Sequence, residues 1–276
     1  MKELTIELPE NCALRCRHCS HDRVCELQVD YPGWEEHEFG PLLDLYGTFK
    51  KVRISGGEPF SQLTSLLAIL RQAKQRNRYT EVLSSGVCSR DFDGSLEPIP
   101  EEVLRTHSEF IDNIGFTIHG DRQTHDFITQ TLGSFDCLRK SVDLARKYQV
   151  HFSFNFVAMR PSLAGLEHSL DCVRYYTAVV RKEVPFRILR FIKQGDSQQN
   201  LALDVEQVLA LRRRVPLLEE KYGVKIYLGC SLVEKGCRAG EGKAVETAHG
   251  GSFACSSLKG YDGEVQPKSF PCRVRW

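Results

Sequence analysis

Three cysteines near the N-terminus, Cys12, Cys16 and Cys19, form a C-x3-C-x2-C run directly after a strand-like segment. Cysteine thiolates are the usual ligands of iron–sulfur clusters, and a cluster with only three protein ligands keeps one iron open to a small molecule. A zinc site or a chance cluster is the alternative, but closed zinc sites supply four ligands in paired spacing, and no fourth ligand follows at a matching interval. The run therefore predicts a metal centre with one free coordination position.

A second motif, Gly56-Gly57-Glu58-Pro59, follows a strand-like segment over 51–55. Paired glycines let the backbone approach a ligand closely, and a glutamate can accept a hydrogen bond from an ammonium group. By itself the motif is also typical of an ordinary turn at the end of a strand. Its position after the cysteine run favours ligand binding.

Together the two motifs resemble the signature of the radical S-adenosylmethionine (radical SAM) superfamily. The resemblance implies that the three cysteines bind a [4Fe-4S] cluster and that Gly56 to Pro59 bind SAM, with Gly56, Gly57 and Glu58 at its amino group. It also implies the chemistry, in which a reduced cluster passes one electron to SAM. The products are methionine and a 5′-deoxyadenosyl radical, which takes a hydrogen atom from the substrate.

Strands and helices must position these motifs. Strand-like and helical patterns alternate along the chain, as in βα units with a parallel sheet. Helical spacing is clear over 63–70 and over 135–145, where Ser134 is a candidate N-cap. The resemblance selects a partial (βα)6 TIM-like barrel over a doubly wound sheet. The predicted strands cover 3–8, 51–55, 80–84, 114–118, 150–157 and 187–192.

Functional groups of parallel barrels gather at the carboxyl ends of the strands. The cysteine run and the glycine motif follow the first two predicted strands, which places both on one rim. Four further side chains lie at or near the ends of later strands, and we expect them in the cofactor site: Ser84, Thr117, Asn155 and Arg190.

A third segment resembles the S-x-D-G, H-D-x-x-R and G-S-F pattern of SPASM-type radical SAM enzymes. Thr117 keeps the hydroxyl of the usual serine, but His119 replaces the aspartate and Thr129 replaces the arginine. In the better-matched relatives the arginine engages the SAM carboxylate, and threonine cannot imitate its two parallel hydrogen bonds. Either neutral donors hold the carboxylate or another cation does, the candidates being Arg122, Arg160 and Arg190. His119 is a candidate acid or base, with a hydrogen-bonded turn histidine as the alternative.

The C-terminal region changes character at about Gly223, with short strand-like pieces over 224–228, 244–247 and 252–254. Cys237, Gly250 and Cys255 form a C-x12-G-x4-C pattern similar to the auxiliary-cluster region of SPASM and twitch enzymes. We therefore expect a barrel over 1–222 and a twitch-like unit of β-hairpin and helix over 223–276, with a second, auxiliary [4Fe-4S] cluster. Its candidate ligands are Cys230, Cys237, Cys255 and Cys272, and a structural zinc site is the alternative.

Four cysteines have no partner spacing: Cys25, Cys88, Cys137 and Cys172. Cys137 and Cys172 lie in helical patterns and are predicted to be small buried apolar residues. Cys88 follows the third strand at the rim, where a thiol could donate a hydrogen atom to a substrate radical. It is therefore a candidate catalytic residue.

Composition agrees with a cytoplasmic enzyme that has one large core. The chain has 276 residues, a formal net charge of +1, no signal-peptide pattern and no apolar run that approaches a membrane span. The run Arg212-Arg213-Arg214 is more typical of a solvated helix face than of a nucleic-acid site. The eleven cysteines favour metal ligation under reducing conditions.

Three functions are compatible with these features. The first is a radical SAM enzyme that dehydrogenates or epimerises a small molecule such as a sugar, aminocyclitol or nucleoside. The second is a peptide-modifying enzyme that forms a thioether or carbon–carbon crosslink. Both require a one-electron reductant such as flavodoxin or ferredoxin. The third is a non-catalytic metal-binding or electron-transfer protein.

Overall fold

The computed structural model of the chain describes residues 2–9, 11–19, 36–90, 95–191, 199–229, 232, 243–247 and 252–253. Eleven strands lie in these residues: β1 (Glu3–Glu7), β2 (Lys51–Ser55), β3 (Tyr79–Ser84), β4 (Ser89–Arg90), β5 (Leu96–Glu97), β6 (Asn113–Thr117), β7 (Phe152–Ala158), β8 (Phe186–Arg190), β9 (Ile226–Leu228), β10 (Lys243–Thr247) and β11 (Ser252–Phe253). The α-helices in the same ranges are α1 (Glu36–Leu45), α2 (Leu63–Gln75), α3 (Glu101–His107), α4 (Arg122–Thr129), α5 (Ser134–Lys147), α6 (Leu166–Val180) and α7 (Val205–Tyr222).

Six parallel strands form the centre of one sheet in the order β1-β2-β3-β6-β7-β8. Parallel neighbours need crossover connections, and α1 to α6 provide them. All six strands lie at the positions predicted from the sequence, with ends that differ by a residue or two. None of the helices in the described ranges combines the length and the hydropathy needed to cross a lipid bilayer.

Three short strands from the C-terminal region extend this sheet at both edges. β9 pairs with β8 in parallel, whereas β10 pairs in parallel with β1 and carries β11 as an antiparallel neighbour. The predicted strands of this region are therefore present, and they belong to the same sheet as the barrel strands. The predicted domain boundary between 222 and 223 stays a prediction.

The two faces of the sheet differ in polarity because side chains alternate along each strand. One face packs against the helices and forms the main core, with residues such as Ile6, Ile54, Val82, Phe116 and Phe154 fully or almost fully buried. The alternate positions are polar on the inner face of the partial barrel: Glu3, Thr5, Lys51, Arg53, Glu81, Asn113, Ser153, Asn155 and Arg187.

A buried carboxylate, Glu81 on β3, organises the charges of this inner face. Lys51 Nζ and Arg53 Nη2 each lie 2.6 Å from its Oε2, and Arg187 Nη1 lies 3.0 Å from its Oε1. The Asn113 amide donates a further hydrogen bond to Oε1 at 3.0 Å. Four strands are thereby connected through one carboxylate.

Replacing Glu81 with glutamine is expected to destabilise the protein by about 3–5 kcal/mol, because the partly buried Arg187 would lose its carboxylate partner and Lys51 and Arg53 would be opposed by Glu3 alone. Burial raises the pKa of Glu81, but Arg53, Lys51 and Arg187 outweigh burial and hold the pKa well below its usual range. Its contribution is therefore present above the unfolded-state pKa of about 4.3 and is lost as the pH falls towards the folded-state pKa.

Urea unfolding at pH 7 and at about pH 3 measures both effects, and the difference between wild type and variant should shrink at the lower pH. Glu102→Gln is the matched control, because Glu102 forms an exposed pair with Arg105 that contributes about 1 kcal/mol or less. Equal losses in the two variants would contradict the assignment.

Candidate functional site

The three N-terminal cysteines lie in a loop over residues 11–19, called the cysteine loop, at the carboxyl end of β1. Its Leu14 packs with Val87 and Cys137 in a small apolar cluster, against which Cys12 and Cys16 also pack. The backbone N–H of Cys19 donates to the carbonyl oxygen of Cys16 at 3.1 Å, so the last two cysteines share one turn. This packing and this turn fix the backbone that carries the three thiols at the rim.

The glycine motif packs directly against the backbone that leads into the cysteine loop. A Cβ atom at Gly57 would lie 2.3 Å from the carbonyl oxygen of Asn11, and one at Gly56 would lie 2.2 Å from that of Leu8. Gly56 also has φ of +124°, a value that L side chains rarely adopt. The Glu58 N–H donates to the Asn11 carbonyl oxygen at 2.6 Å. A side chain at position 56 or 57 would therefore push the loop away. The position of the loop requires both glycines, in addition to their predicted role towards SAM.

The other side of the cysteine loop is attached to the end of α4. The N–H of Arg15 donates to the carbonyl oxygen of Thr129 at 3.3 Å, and that of Arg17 donates to Ile128 at 2.9 Å. The Gln130 side-chain amide donates to the Arg15 carbonyl oxygen. The loop is thus held between two elements that are distant in sequence.

The burial and the pKa of the loop's thiols bear on whether a cluster fits there. Burial raises the pKa of the Cys16 thiol well above its usual range, and Cys12 and Cys19 raise it further. A bound metal offsets this cost, since a coordinated thiol is deprotonated outright. In the described part of the chain, no three His, Cys, Asp or Glu side chains converge closely enough to hold a single metal ion. The three adjacent sulfur donors nevertheless fit an iron–sulfur cluster by their chemistry.

Glu58 is fully buried, and its carboxylate is hydrogen-bonded within the protein. It accepts from Ser84 Oγ at 2.8 Å, from the N–H and Oγ of Ser85 at 2.8 and 2.6 Å, and from the Phe60 N–H at 3.3 Å. Burial raises the pKa of Glu58, and these bonds offset part of the rise. Glu58 therefore joins the ends of β2 and β3. Contacts of Glu58, Ser84 and the neighbouring buried Pro59 with SAM stay predictions.

Three further predicted cofactor residues lie on the same rim. Thr117 ends β6 beside Asn155 on β7, and Arg190 ends β8 beside Ala158. Asn155 is buried, whereas Thr117 and Arg190 are half-buried. The topology therefore brings these side chains to the edge that carries the cysteine loop, and their roles towards SAM stay predictions.

Asp126, in the segment that resembles H-D-x-x-R, caps the N-terminus of α5. Its carboxylate accepts from the Gly133 N–H at 2.8 Å, the Ser134 hydroxyl at 2.8 Å and the Phe135 N–H at 2.9 Å. The prediction of Ser134 as N-cap is wrong, since Gly133 occupies that position and Ser134 is the first helical residue. Thr129, which replaces the expected arginine, is buried here with its hydroxyl 2.6 Å from that of Ser134.

His119 is almost fully buried in a cluster of three histidines. Its ring centroid lies 4.7 Å from that of His18 in the cysteine loop and 5.3 Å from that of His125. Burial lowers the pKa of His18 and of His125 to about 4 and lowers that of His119 further below its usual range. The three rings are therefore neutral at pH 7. The predicted acid–base role of His119 stays a prediction, and no motif in the sequence indicates this cluster.

Among the other cysteines, Cys88 is buried, and burial raises the pKa of its thiol far above the usual range. Its predicted hydrogen-atom transfer stays a prediction. Cys137 is buried and Cys172 is half-buried, both packed among apolar residues. The auxiliary-cluster candidates Cys230, Cys237, Cys255 and Cys272 lie outside the described residues, as does Cys25.

Comparisons with known proteins agree with the fold and with the cysteine loop. Residues 7–132 match a family model described as a 4Fe-4S single cluster domain. No curated protein shows significant sequence similarity to this chain.

Solved structures share the fold at low sequence identity. Streptococcus suis SuiB bound to the precursor peptide SuiA superposes with a TM-score of 0.74 at 15% identity, over 96% of this chain and 61% of SuiB. SuiB bound to S-adenosylmethionine superposes with a TM-score of 0.69 at 15% identity, over 96% of this chain and 62% of SuiB. Native anSMEcpe with bound AdoMet and Cp18Cys peptide superposes with a TM-score of 0.62 at 14% identity, over 92% of this chain and 73% of anSMEcpe. The predicted fold class is confirmed, and the chain spans about three fifths of the length of SuiB.

Proposed function

We propose that this chain is a radical SAM enzyme, because it shares the fold of a protein solved with bound S-adenosylmethionine and matches a 4Fe-4S single cluster domain over residues 7–132. The observation that carries the proposal is the cysteine loop, which holds three thiols at the carboxyl rim of the parallel strands, directly against the glycine motif. A reduced [4Fe-4S] cluster with one open iron, when bound there, supplies the electron that cleaves SAM to methionine and a 5′-deoxyadenosyl radical.

The residues of the rim hold and orient the cofactors in this proposal. Cys12, Cys16 and Cys19 bind the cluster, while the backbone at Gly56 and Gly57 faces the SAM amino group. Thr117 and Arg190 take the SAM carboxylate. Of the three cations considered for that role, Arg122 is exposed and paired with Asp136 at 2.6 Å and Arg160 is exposed, whereas Arg190 is half-buried at a strand end. The charge of a half-buried guanidinium is screened less by water than that of an exposed one.

A peptide is the substrate class that we place first. SuiB binds a precursor peptide and anSMEcpe binds the Cp18Cys peptide, and both share this fold. A small molecule such as a sugar, aminocyclitol or nucleoside, altered by dehydrogenation or epimerisation, is the second candidate. In either case the protein orients one carbon towards the radical and excludes water.

A second, auxiliary [4Fe-4S] cluster on Cys230, Cys237, Cys255 and Cys272 is part of the proposal, for electron transfer or substrate binding. The supporting pattern is C-x12-G-x4-C, which ends at Cys255. A zinc site would use the same four thiolates, and metal analysis separates the two because only one of them contains iron.

The test uses anaerobically reconstituted protein reduced with dithionite. We expect it to form 5′-deoxyadenosine and methionine from SAM, and to transfer deuterium into 5′-deoxyadenosine from a deuterated peptide. Transfer from deuterated sugars or nucleosides but not from peptides would reverse the order of the two substrate classes. Absence of 5′-deoxyadenosine with every substrate would instead favour a non-catalytic electron-transfer protein.

A further inference from the structure

An exposed patch with both apolar and basic residues lies where the cysteine loop meets α4. Arg17 contacts Phe127, and the Gln130 side-chain amide donates to the Arg15 carbonyl oxygen, with Leu132 two residues further along the chain. These five residues are called the Arg17–Leu132 face. The Phe127 side chain is 51% exposed and that of Leu132 is 90% exposed. Large apolar side chains that stay in water next to arginines are typical of protein interfaces.

This face is directly connected to the proposed cluster ligands. Arg15 and Arg17 flank Cys16 in sequence. The Arg17 guanidinium lies 4.1 Å from the centre of the Phe127 ring, and its Nε donates to the Phe127 carbonyl oxygen at 3.0 Å. A partner protein that covers Phe127 and Arg17 therefore lies beside Cys16, which directly precedes Arg17 in the sequence.

The charge of the face is positive, although the whole chain carries a formal net charge of only +1. Its two ionisable side chains are both arginines. The neighbouring Asp126 is buried and caps α5, and Asp136 is paired with Arg122. Within the described residues, the face thus complements a partner that has an acidic surface.

We propose that the Arg17–Leu132 face is the docking site of an acidic one-electron carrier protein, of the flavodoxin or ferredoxin class. This inference rests on the proposed function, since it requires a cluster on the cysteine loop. The carrier loses one electron and the cluster gains it, with no bond made or broken. Apolar contact with Leu132 and Phe127 then holds the two redox groups close, while the arginines orient the partner.

The test compares two leucine variants in the reconstituted protein. Leu132→Glu adds a negative charge to the face, whereas Leu45→Glu adds one to another exposed site at the end of α1, where Leu45 is 77% exposed. Stopped-flow absorbance without SAM follows the reduction of the cluster by the reduced (hydroquinone) form of an acidic flavodoxin. We expect Leu132→Glu to slow this reduction about tenfold or more at low salt, and Leu45→Glu to leave it unchanged.

Dithionite serves as the reductant that needs no docking site. Both variants should be reduced by dithionite at the wild-type rate, and Phe127→Glu should show the same pattern as Leu132→Glu. The inference is overturned if Leu132→Glu and Phe127→Glu slow reduction by flavodoxin no more than Leu45→Glu does. It is also overturned if they impair only peptide-dependent deuterium transfer under dithionite, because the face would then bind substrate. Because the rate is read without SAM, a lack of SAM cleavage would contradict the proposed function and leave this test intact.

Discussion

Replacing Cys12, Cys16 and Cys19 together with alanine is expected to abolish 5′-deoxyadenosine formation and to lower the iron content from about eight to about four atoms per chain. Without the three thiolates the open cluster has no protein ligands, so SAM has no iron to bind. The remaining four irons would be those of the proposed auxiliary cluster. Iron and acid-labile sulfide analysis after anaerobic reconstitution, together with chromatography of the SAM products, measures both effects.

Cys172→Ala is the matched control, because Cys172 is half-buried and packs against the main core. It should keep all of the iron and all of the SAM cleavage, with only a modest loss of stability. A triple variant that still cleaves SAM would exclude the cysteine loop as the site of the open cluster. If the wild-type protein instead holds about four irons and one zinc, the C-terminal cysteines form a structural site.

Gly57→Ala is expected to give the second largest effect, although Gly57 is not a proposed cluster ligand. The added Cβ would lie 2.3 Å from the Asn11 carbonyl oxygen, and Asn11 directly precedes Cys12. The backbone must move to relieve this contact, at a cost of about 1–3 kcal/mol. The shift displaces the cysteine loop, so we expect partial loss of iron and SAM cleavage slowed about a hundredfold.

The same substitution at Gly223 separates the steric contact from other effects of adding a methyl group. A Cβ at Gly223 meets no atom within 4 Å, and its cost comes only from the left-handed backbone with φ of +63°. That cost is about 1 kcal/mol. Gly223→Ala should therefore keep its iron and its activity. If Gly57→Ala also keeps both, the packing of the glycines does not position the cysteine loop.

Much of the fold was predictable because each barrel strand has a clear local pattern. Apolar side chains alternate with polar ones in β1, in β2 and in the first five residues of β7, and amphipathic helices separate the strands. Parallel βα units leave few possible topologies, so the order of the elements was enough to predict which residues lie at the carboxyl ends of the strands. The polar residues of the same alternating pattern form the inner-face network around Glu81. That network could have been identified from the polar positions of consecutive strands.

The connections within the site were not predictable, because they join residues distant in sequence. Asp126 caps α5 in place of Ser134, since the turn between α4 and α5 brings its carboxylate to the free N–H groups of the helix. Similarly, the Glu58 carboxylate reaches Ser84 and Ser85 only because β2 and β3 are neighbours. No local propensity encodes such contacts.

The cysteine spacing and the glycine motif determined the chemistry at the level of residue type: three thiolates for a cluster and a backbone that can approach a ligand. Thiolate preference and glycine's freedom are properties of the residues themselves, and they hold before the chain folds. The tertiary structure alone decided that Gly57 packs on Asn11, that His119 lies between His18 and His125, and that Arg17 stacks on Phe127. Those relations depend on which strands and helices become neighbours, and only packing of the whole chain determines that.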